Sequence, residues 1–392
     1  MEKKKEKIII VAVTAVVTFL YTSIAGFLLF GSMLYSDEGK IELVKTMLEE
    51  YSLFDVDEDK MMEYAAMGIA ASVEDPYTAY YPAEEFQSYT EQISSSYVGV
   101  GVTIGADVEK NQINIISVME DGPADKAGLK AGDILLSVDG KTYEASRMTE
   151  ATMYIKKGEV GTSVAITVER DGKIIEAVVT REKIDKKSVS SEMLTGDIGY
   201  LEITSFDGKM EASEQDTYDE FCENLEGLKA AGAKKLIIDV RDNPGGDFEV
   251  VCKIVDKIVP KGIITYTEDK NGKRETVYSD KEELDIPIVV LVNGNSASAS
   301  EVLTGALKDY KKATVIGTQT FGKGIVQRVF TFPDGSGLSI TVSKYYTPNG
   351  VCIHGVGIEP DKIVELDSDK TLSELEVSED NQLQAAIEHL SK

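Results

Sequence analysis

Two apolar runs limit the architecture of this 392-residue chain more than any other feature. LIIDV at 236–240 and IVVLV at 288–292 lack the polar alternation of a half-exposed strand, so both faces of their sheet must be covered. Helical patterns at 213–231, 247–259 and 298–309 lie between and beside them. GYLEITSF and ATVIG add strand candidates, and 325–346 reads as β-rich. The alternation predicts a mixed α/β core over 188–365, followed by a helical tail at 366–392.

Upstream the pattern differs. Residues 37–95 read as an N-terminal helical region, with Ile41, Val44, Met47 and Leu48, then Met61, Met62, Ala65 and Ile69, at helical spacing. That stripe suits either an ordinary core or a dimer surface. Asp75-Pro76-Tyr77 ends the second helix, and Tyr80-Tyr81-Pro82 is expected to continue the turn. From Tyr97 onward, YVGVGVTIGAD and INIISV read as strands, with a short helix at 147–156 and strands at 163–170 and 173–181. These form a compact β-rich unit over 97–182 whose groove, between a strand edge and the short helix, would take a peptide as an added strand.

Charge is unevenly placed. The formal net charge is −27, yet Lys3, Lys4, Lys5 and Lys7 outnumber Glu2 and Glu6 at the start. Twenty-eight residues from Ile8 to Tyr35 then carry no charge. As a helix this run exceeds a hydrocarbon core of about 30 Å, which predicts a single transmembrane helix at 8–35 behind a basic cytoplasmic tail at 1–7. On that reading the protein sits in the bacterial cell membrane with the rest of the chain outside. Ser23-Ile24-Ala25 leaves a cleaved signal peptide as the alternative. The acidic remainder argues against nucleic-acid partners. With two histidines and three cysteines, neither a histidine-rich metal centre nor a disulfide framework is expected, and no cofactor is implied.

Three turns carry candidate chemistry. RDNPGGD at 241–247 follows a strand, and its paired glycines can aim backbone N–H groups at one point, as an oxyanion nest or as an ordinary strand-to-helix turn. NGNSASASE at 293–301 opens a helix, where a serine serves as an N-cap or as a nucleophile beside helix amides. GTQTFGKGIVQ at 317–327 matches G-x-x-x-x-G-K, but Gly324 replaces the magnesium-binding Ser or Thr, and a strand follows where a helix is needed. Lys323 is left as a candidate base, since desolvation lowers a lysine's pKa and favours its neutral form. His354, in the turn CIHGVG, reads as structural.

The β-rich unit, NPGG, SASASE, TFGKGIVQ and the closing GVGIEPD at 355–361 occur together in an order that resembles the carboxyl-terminal processing proteases, the tail-specific serine peptidases of family S41. The resemblance spans about residues 40–365. It implies a serine endopeptidase with a PDZ domain at 97–182, and a Ser–Lys mechanism through an acyl-enzyme. Ser298 would be the nucleophile, Lys323 its base, and Gln327 the residue that orients the lysine. Backbone N–H groups of Gly246 and Ala299 would form the oxyanion hole, with Gly245 shaping the turn. Val98, Gly99, Val100 and Gly101 would line the site for a substrate's free, largely apolar C-terminus. A homodimer through the helical region is a further expectation.

One geometric difficulty is visible in advance. Residues i and i+4 of an extended strand lie about 13 Å apart, so Lys323 and Gln327 need a bend or bulge, expected around Gly324. A peptide-binding scaffold without catalysis is the rival function. An esterase is disfavoured because no G-x-S-x-G elbow closes around Ser298.

Overall fold

The computed structural model describes residues 11, 13–25, 36–92, 96–185, 187–209, 215–368 and 370–392. The chain divides into two compact units, 1–74 and 75–392.

In the first unit, helices run over Asp37–Tyr51 and Glu58–Ala71. Each starts on a capping side chain: Ser36 accepts from the Gly39 amide and Asp57 from the Lys60 amide. Ile41, Val44, Met47 and Leu48 are exposed, so the helical spacing is real but the stripe is not a core. The expected membrane anchor is corrected here. Residues 11 and 13–25 are helical. No helix among the described residues is long and apolar enough to cross a membrane. The single transmembrane helix, and the single-pass membrane localisation built on it, are therefore not upheld. Residues 1–10, 12 and 26–35, the cytoplasmic tail among them, lie outside the described residues.

The second unit begins with a correction of detail. Tyr80 and Tyr81 do not continue a turn; Ala79–Tyr81 is a strand paired antiparallel with Gly337–Ser339. The β-rich unit follows, with strands in the order Val102–Asp107, Gln112–Val118, Ile134–Val138, Ser163–Arg170, Lys173–Thr180. A separate two-stranded pair joins Ser96–Gly99 to Glu182–Asp185. YVGVGVTIGAD is thus two strands rather than one. The break falls at Val100–Gly101, where Gly101 has φ +75°, a backbone region open to glycine.

The α/β core is a six-stranded sheet in the order Val189–Met193, Ile198–Ile203, Lys235–Asp239, Ile288–Val292, Ala313–Gly317, Lys362–Ile363. Its first pair is antiparallel and the rest are parallel. The two apolar runs explain themselves here. Leu236, Ile238, Ile288, Val290 and Val292 enter one core with the helices Thr217–Ala230, Phe248–Asp256 and Ala299–Asp309. Ile237, Val289 and Leu291 point to the other face, against Leu383, Ala386, Ile387 and Leu390 of the C-terminal helix Asn381–Ser391. At roughly 1.5–3 kcal/mol per fully buried aliphatic side chain, both layers are needed. The three helices start after strands 198–203, 235–239 and 288–292, so the turns after 239 and 292 share one edge of the sheet. A second sheet contains Ile325–Thr331, Gly337–Tyr346, Ile263–Asp269 and Arg274–Tyr278.

Candidate active site

Two parallel neighbours, 235–239 and 288–292, deliver RDNPGG and NSASAS side by side. Asn243 joins them. Its side chain donates to the Ile203 carbonyl (2.7 Å) and accepts from the Gly245 amide (2.9 Å). Its backbone carbonyl accepts from the Ala297 amide (3.0 Å) and the Ser300 hydroxyl (2.9 Å). The three serines then separate by burial. Ser296 is buried and donates to the Val240 carbonyl at 2.7 Å, and Ser300 is buried against Asn243. Ser298, the middle one, is only half-buried. It occupies the N-cap position of Ala299–Asp309 with φ +54° and ψ −112°. That backbone is sparsely populated for a residue with a side chain, a strain of about 1–3 kcal/mol of the kind that clusters at functional sites.

Gly245 and Gly246 divide their work. Gly245 is buried with φ +106°, and a Cβ there would stand 2.8 Å from both the Ala297 carbonyl oxygen and Ser298 Cβ. Gly246 is exposed with φ +144°, and its Cβ would stand 2.2 Å from the Phe206 carbonyl oxygen. Among the described residues, neither the Gly246 amide nor the Ala299 amide donates a hydrogen bond within the protein. Two unspent N–H groups therefore stand in these adjoining turns, and such donors can stabilise an oxyanion.

Lys323 lies in the loop before the strand Ile325–Thr331. Its flanking glycines permit close approach of the 353–357 turn: a Cβ on Gly324 would meet the His354 amide nitrogen at 2.5 Å, and one on Gly322 the Gly357 nitrogen at 3.0 Å. Lys323 Nζ donates to Gln327 Oε1 at 3.0 Å and lies 4.8 Å from the centre of the Tyr77 ring. Gln327 Nε2 in turn donates to the Tyr77 carbonyl (2.5 Å) and Ser339 Oγ (2.9 Å), which turns Oε1 toward the lysine. The contact is possible because a register shift falls between Val326 and Gln327. The bulge is thus later in the chain than Gly324, where the sequence suggested it. Burial holds the Lys323 ammonium below the usual lysine range, against the opposing pull of the Asp75 carboxylate.

A residue the sequence reading left without a role ties these loops together. Glu301 is fully buried. Its Oε2 accepts from the Ser298 amide (2.9 Å) and the Lys323 amide (2.8 Å), and its Oε1 from the Gly322 amide (2.8 Å) and the Thr320 hydroxyl (2.6 Å). Burial pushes its carboxyl up, opposed by those four donors. Ser298 and Lys323 therefore hang from one oxygen atom through their backbones. Among the described residues, no hydrogen bond joins Lys323 Nζ to the Ser298 side chain. The only sequence signal for Glu301 was its place three residues after Ser298, the spacing of a capping box.

Arg241, at the start of the oxyanion turn, is equally buried. It donates to Asp239 Oδ2 (2.6 Å), Asp380 Oδ2 (2.7 Å) and Gln382 Oε1 (2.9 Å). Nothing local in RDNPGG foretells partners from the C-terminal tail. Among the described residues, no group of three His, Cys, Asp or Glu is placed to hold a metal ion, and the three cysteines are unpaired.

In the β-rich unit, a cleft of about 40 Å³ is lined by Gly99, Val100 and Gly101 on one side and Ile155 and Lys156 on the other. Val98 is outside it, paired with Lys183. The Val100 side chain is buried in the unit's core, and its carbonyl accepts from the Ala124 amide at 2.9 Å. Among the described residues, the Val100 and Gly101 amides donate to no acceptor. Lys156 Nζ, at the end of the helix Met148–Lys156, lies 4.7 Å from the centre of the Tyr97 ring.

The family model "Peptidase family S41" matches residues 197–364, and a PDZ domain model matches 87–180. A probable CtpA-like serine protease of Staphylococcus saprophyticus is 36% identical over 375 residues, covering 93% of this chain and 74% of that protein. One from Staphylococcus aureus is 35% identical over 366 residues, covering 91% and 71%. A putative S41 protease of Bacteroides fragilis has the same fold, with a TM-score of 0.56, 17% identity, and coverage of 88% of this chain and 96% of that one.

Proposed function

We propose how this chain, which belongs to peptidase family S41 and is a C-terminal processing serine endopeptidase with a PDZ domain, cleaves its substrates: by a Ser–Lys mechanism. Neutral Lys323 takes the proton of Ser298 as its hydroxyl attacks the peptide carbonyl. The Gly246 and Ala299 amides receive the developing oxyanion. Protonated Lys323 then donates to the leaving amine, and water releases the acyl group from Ser298. Gln327 fixes the lysine's position throughout.

The observation that carries this reading is the state of Lys323: half-buried, held below the usual lysine range by burial, and anchored to Gln327 on a loop that shares Glu301 with Ser298. The pH dependence follows in sign. The base works unprotonated, so activity rises with pH through the lowered lysine pKa, and burial moves that rise toward neutrality. In the PDZ domain, the Val100 and Gly101 amides with Lys156 at the cleft suit a free substrate carboxylate beside apolar side chains.

The test is cleavage of peptides ending in a free apolar C-terminus, against the same peptides amidated. Ser298→Ala should fold with an unchanged melting temperature and cleave nothing. Wild-type turnover by that variant would remove Ser298 from the mechanism. Equal rates on amidated peptides would remove the carboxylate from recognition.

A further inference from the structure

The loop bearing Lys323 is held on one side by Glu301 and on the other by a segment that no catalytic motif contains, the turn Asp75-Pro76-Tyr77-Thr78. This turn is built around its own carboxylate. Asp75 Oδ2 accepts from the Thr78 hydroxyl at 2.6 Å, Asp75 Oδ1 from the Tyr77 amide at 3.2 Å, and the Asp75 carbonyl from the Thr78 amide at 3.2 Å. The Thr341 amide, from the strand beside Gln327, donates to Thr78 Oγ1 at 3.2 Å and docks the turn on the sheet. The result is that Tyr77 touches both partners of the lysine contact. Its ring lies under Lys323 Nζ, and its carbonyl holds the Gln327 amide.

Asp75 also acts on the lysine through its charge. Burial disfavours that charge, but the Thr78 hydroxyl, the Tyr77 amide and nearby His354 hold its carboxyl below the usual range. Asp75 opposes the desolvation of Lys323. Glu301 is occupied with backbone donors, including the Lys323 amide, and the Tyr345 hydroxyl is bonded to the Ser298 carbonyl. His354, on the turn packed against Gly324, keeps its Nδ1 buried without a hydrogen-bond partner.

We propose that the Asp75–Thr78 turn is a positioning element of the catalytic site, in which Tyr77 seats Lys323 and orients Gln327 while the Asp75 carboxylate sets the charge balance at the lysine. This rests on the Ser–Lys reading above. It makes Asp75 a brake: its negative charge favours the protonated, inactive lysine, and its hydrogen bonds hold the turn that aims that lysine.

The experiment is the pH profile of kcat/KM for the full chain on one peptide with a free apolar C-terminus, with a thermal melt of every variant. Asp75→Asn removes the charge and keeps the shape. Its acid limb should move to lower pH, so that its activity relative to wild type rises as the pH falls, and Asp75→Glu should restore the limb. A limb that stays put or moves upward overturns the proposal, because mere damage to the fold lowers activity at every pH. Tyr77→Ala should lower kcat with KM little changed; wild-type kcat in that variant overturns the role of Tyr77 without any reference to Asp75. Lys323→Met separates the two levels of inference. Activity in Lys323→Met removes the Ser–Lys reading itself, whereas an inactive Lys323→Met with an unmoved Asp75→Asn limb removes only the turn.

Discussion

Replacing Glu301 by Gln changes one atom of the hub between the candidate nucleophile and base, and its cost can be worked from four contacts. Both carboxylate oxygens accept two hydrogen bonds: Ser298 and Lys323 amides on Oε2, Gly322 amide and Thr320 hydroxyl on Oε1. Glutamine has one carbonyl oxygen. If that oxygen keeps Ser298 and Lys323, its NH₂ faces the Gly322 N–H, which is orphaned in a buried site. The Thr320 hydroxyl must then turn to accept, although it already accepts from the Ile358 amide at 2.7 Å. The opposite rotamer orphans two backbone amides and is worse. With about 1–3 kcal/mol for each buried donor left unsatisfied, the better rotamer costs about 2–4 kcal/mol. Some of this is returned, because burial already disfavours the charge on Glu301. A net loss of about 2 kcal/mol is therefore expected. Urea unfolding measures it directly. Peptide cleavage should fall further, since a shift of about 1 Å between the loops can cost about 100-fold in kcat. Unfolding unchanged to within ~0.5 kcal/mol, together with kcat within about twofold of wild type, would refute the hub.

Two other substitutions test neighbouring parts of the site. Gly246→Ala brings a Cβ to 2.2 Å from the Phe206 carbonyl oxygen at a φ of +144°, so the turn must move; kcat should drop about 10²–10³-fold, as for a lost oxyanion donor, with KM little altered. Asp380→Asn leaves buried Arg241 with one carboxylate of two, and its urea midpoint should fall by the equivalent of about 1.5–3 kcal/mol; an unchanged midpoint would mean the tail does not support the turn.

The family and a sheet covered on both faces were legible in the chain because the motifs and apolar strands that signal them are local patterns. RDNPGG and SASASE announce themselves by glycine and serine at strand ends, and continuous apolar strands require two covering layers. The uncharged stretch at 8–35 shows the limit of such reading. An apolar run establishes that burial is favourable but not the length of helix it forms, and no helix among the described residues is long and apolar enough to cross a membrane. The Tyr80–Tyr81 strand was missed for a similar reason: its partner at 337–339 lies more than 250 residues away.

What the sequence determined by itself was which residue types stand at which strand ends, since periodicity and turn chemistry act over a few residues. Only the tertiary structure decided which of three alternating serines is accessible, because Ser296 and Ser300 are buried and bonded to Val240 and Asn243 in the turn after the neighbouring strand. It also decided how a lysine and a glutamine four residues apart come within 3.0 Å, through a bulge set by pairing with the neighbouring strand. The supports of the site, Glu301, Asp380 and the Asp75–Thr78 turn, belong to the same class. Each matters through a partner distant in the chain, and burial and charge between distant residues exist only once the layers have closed.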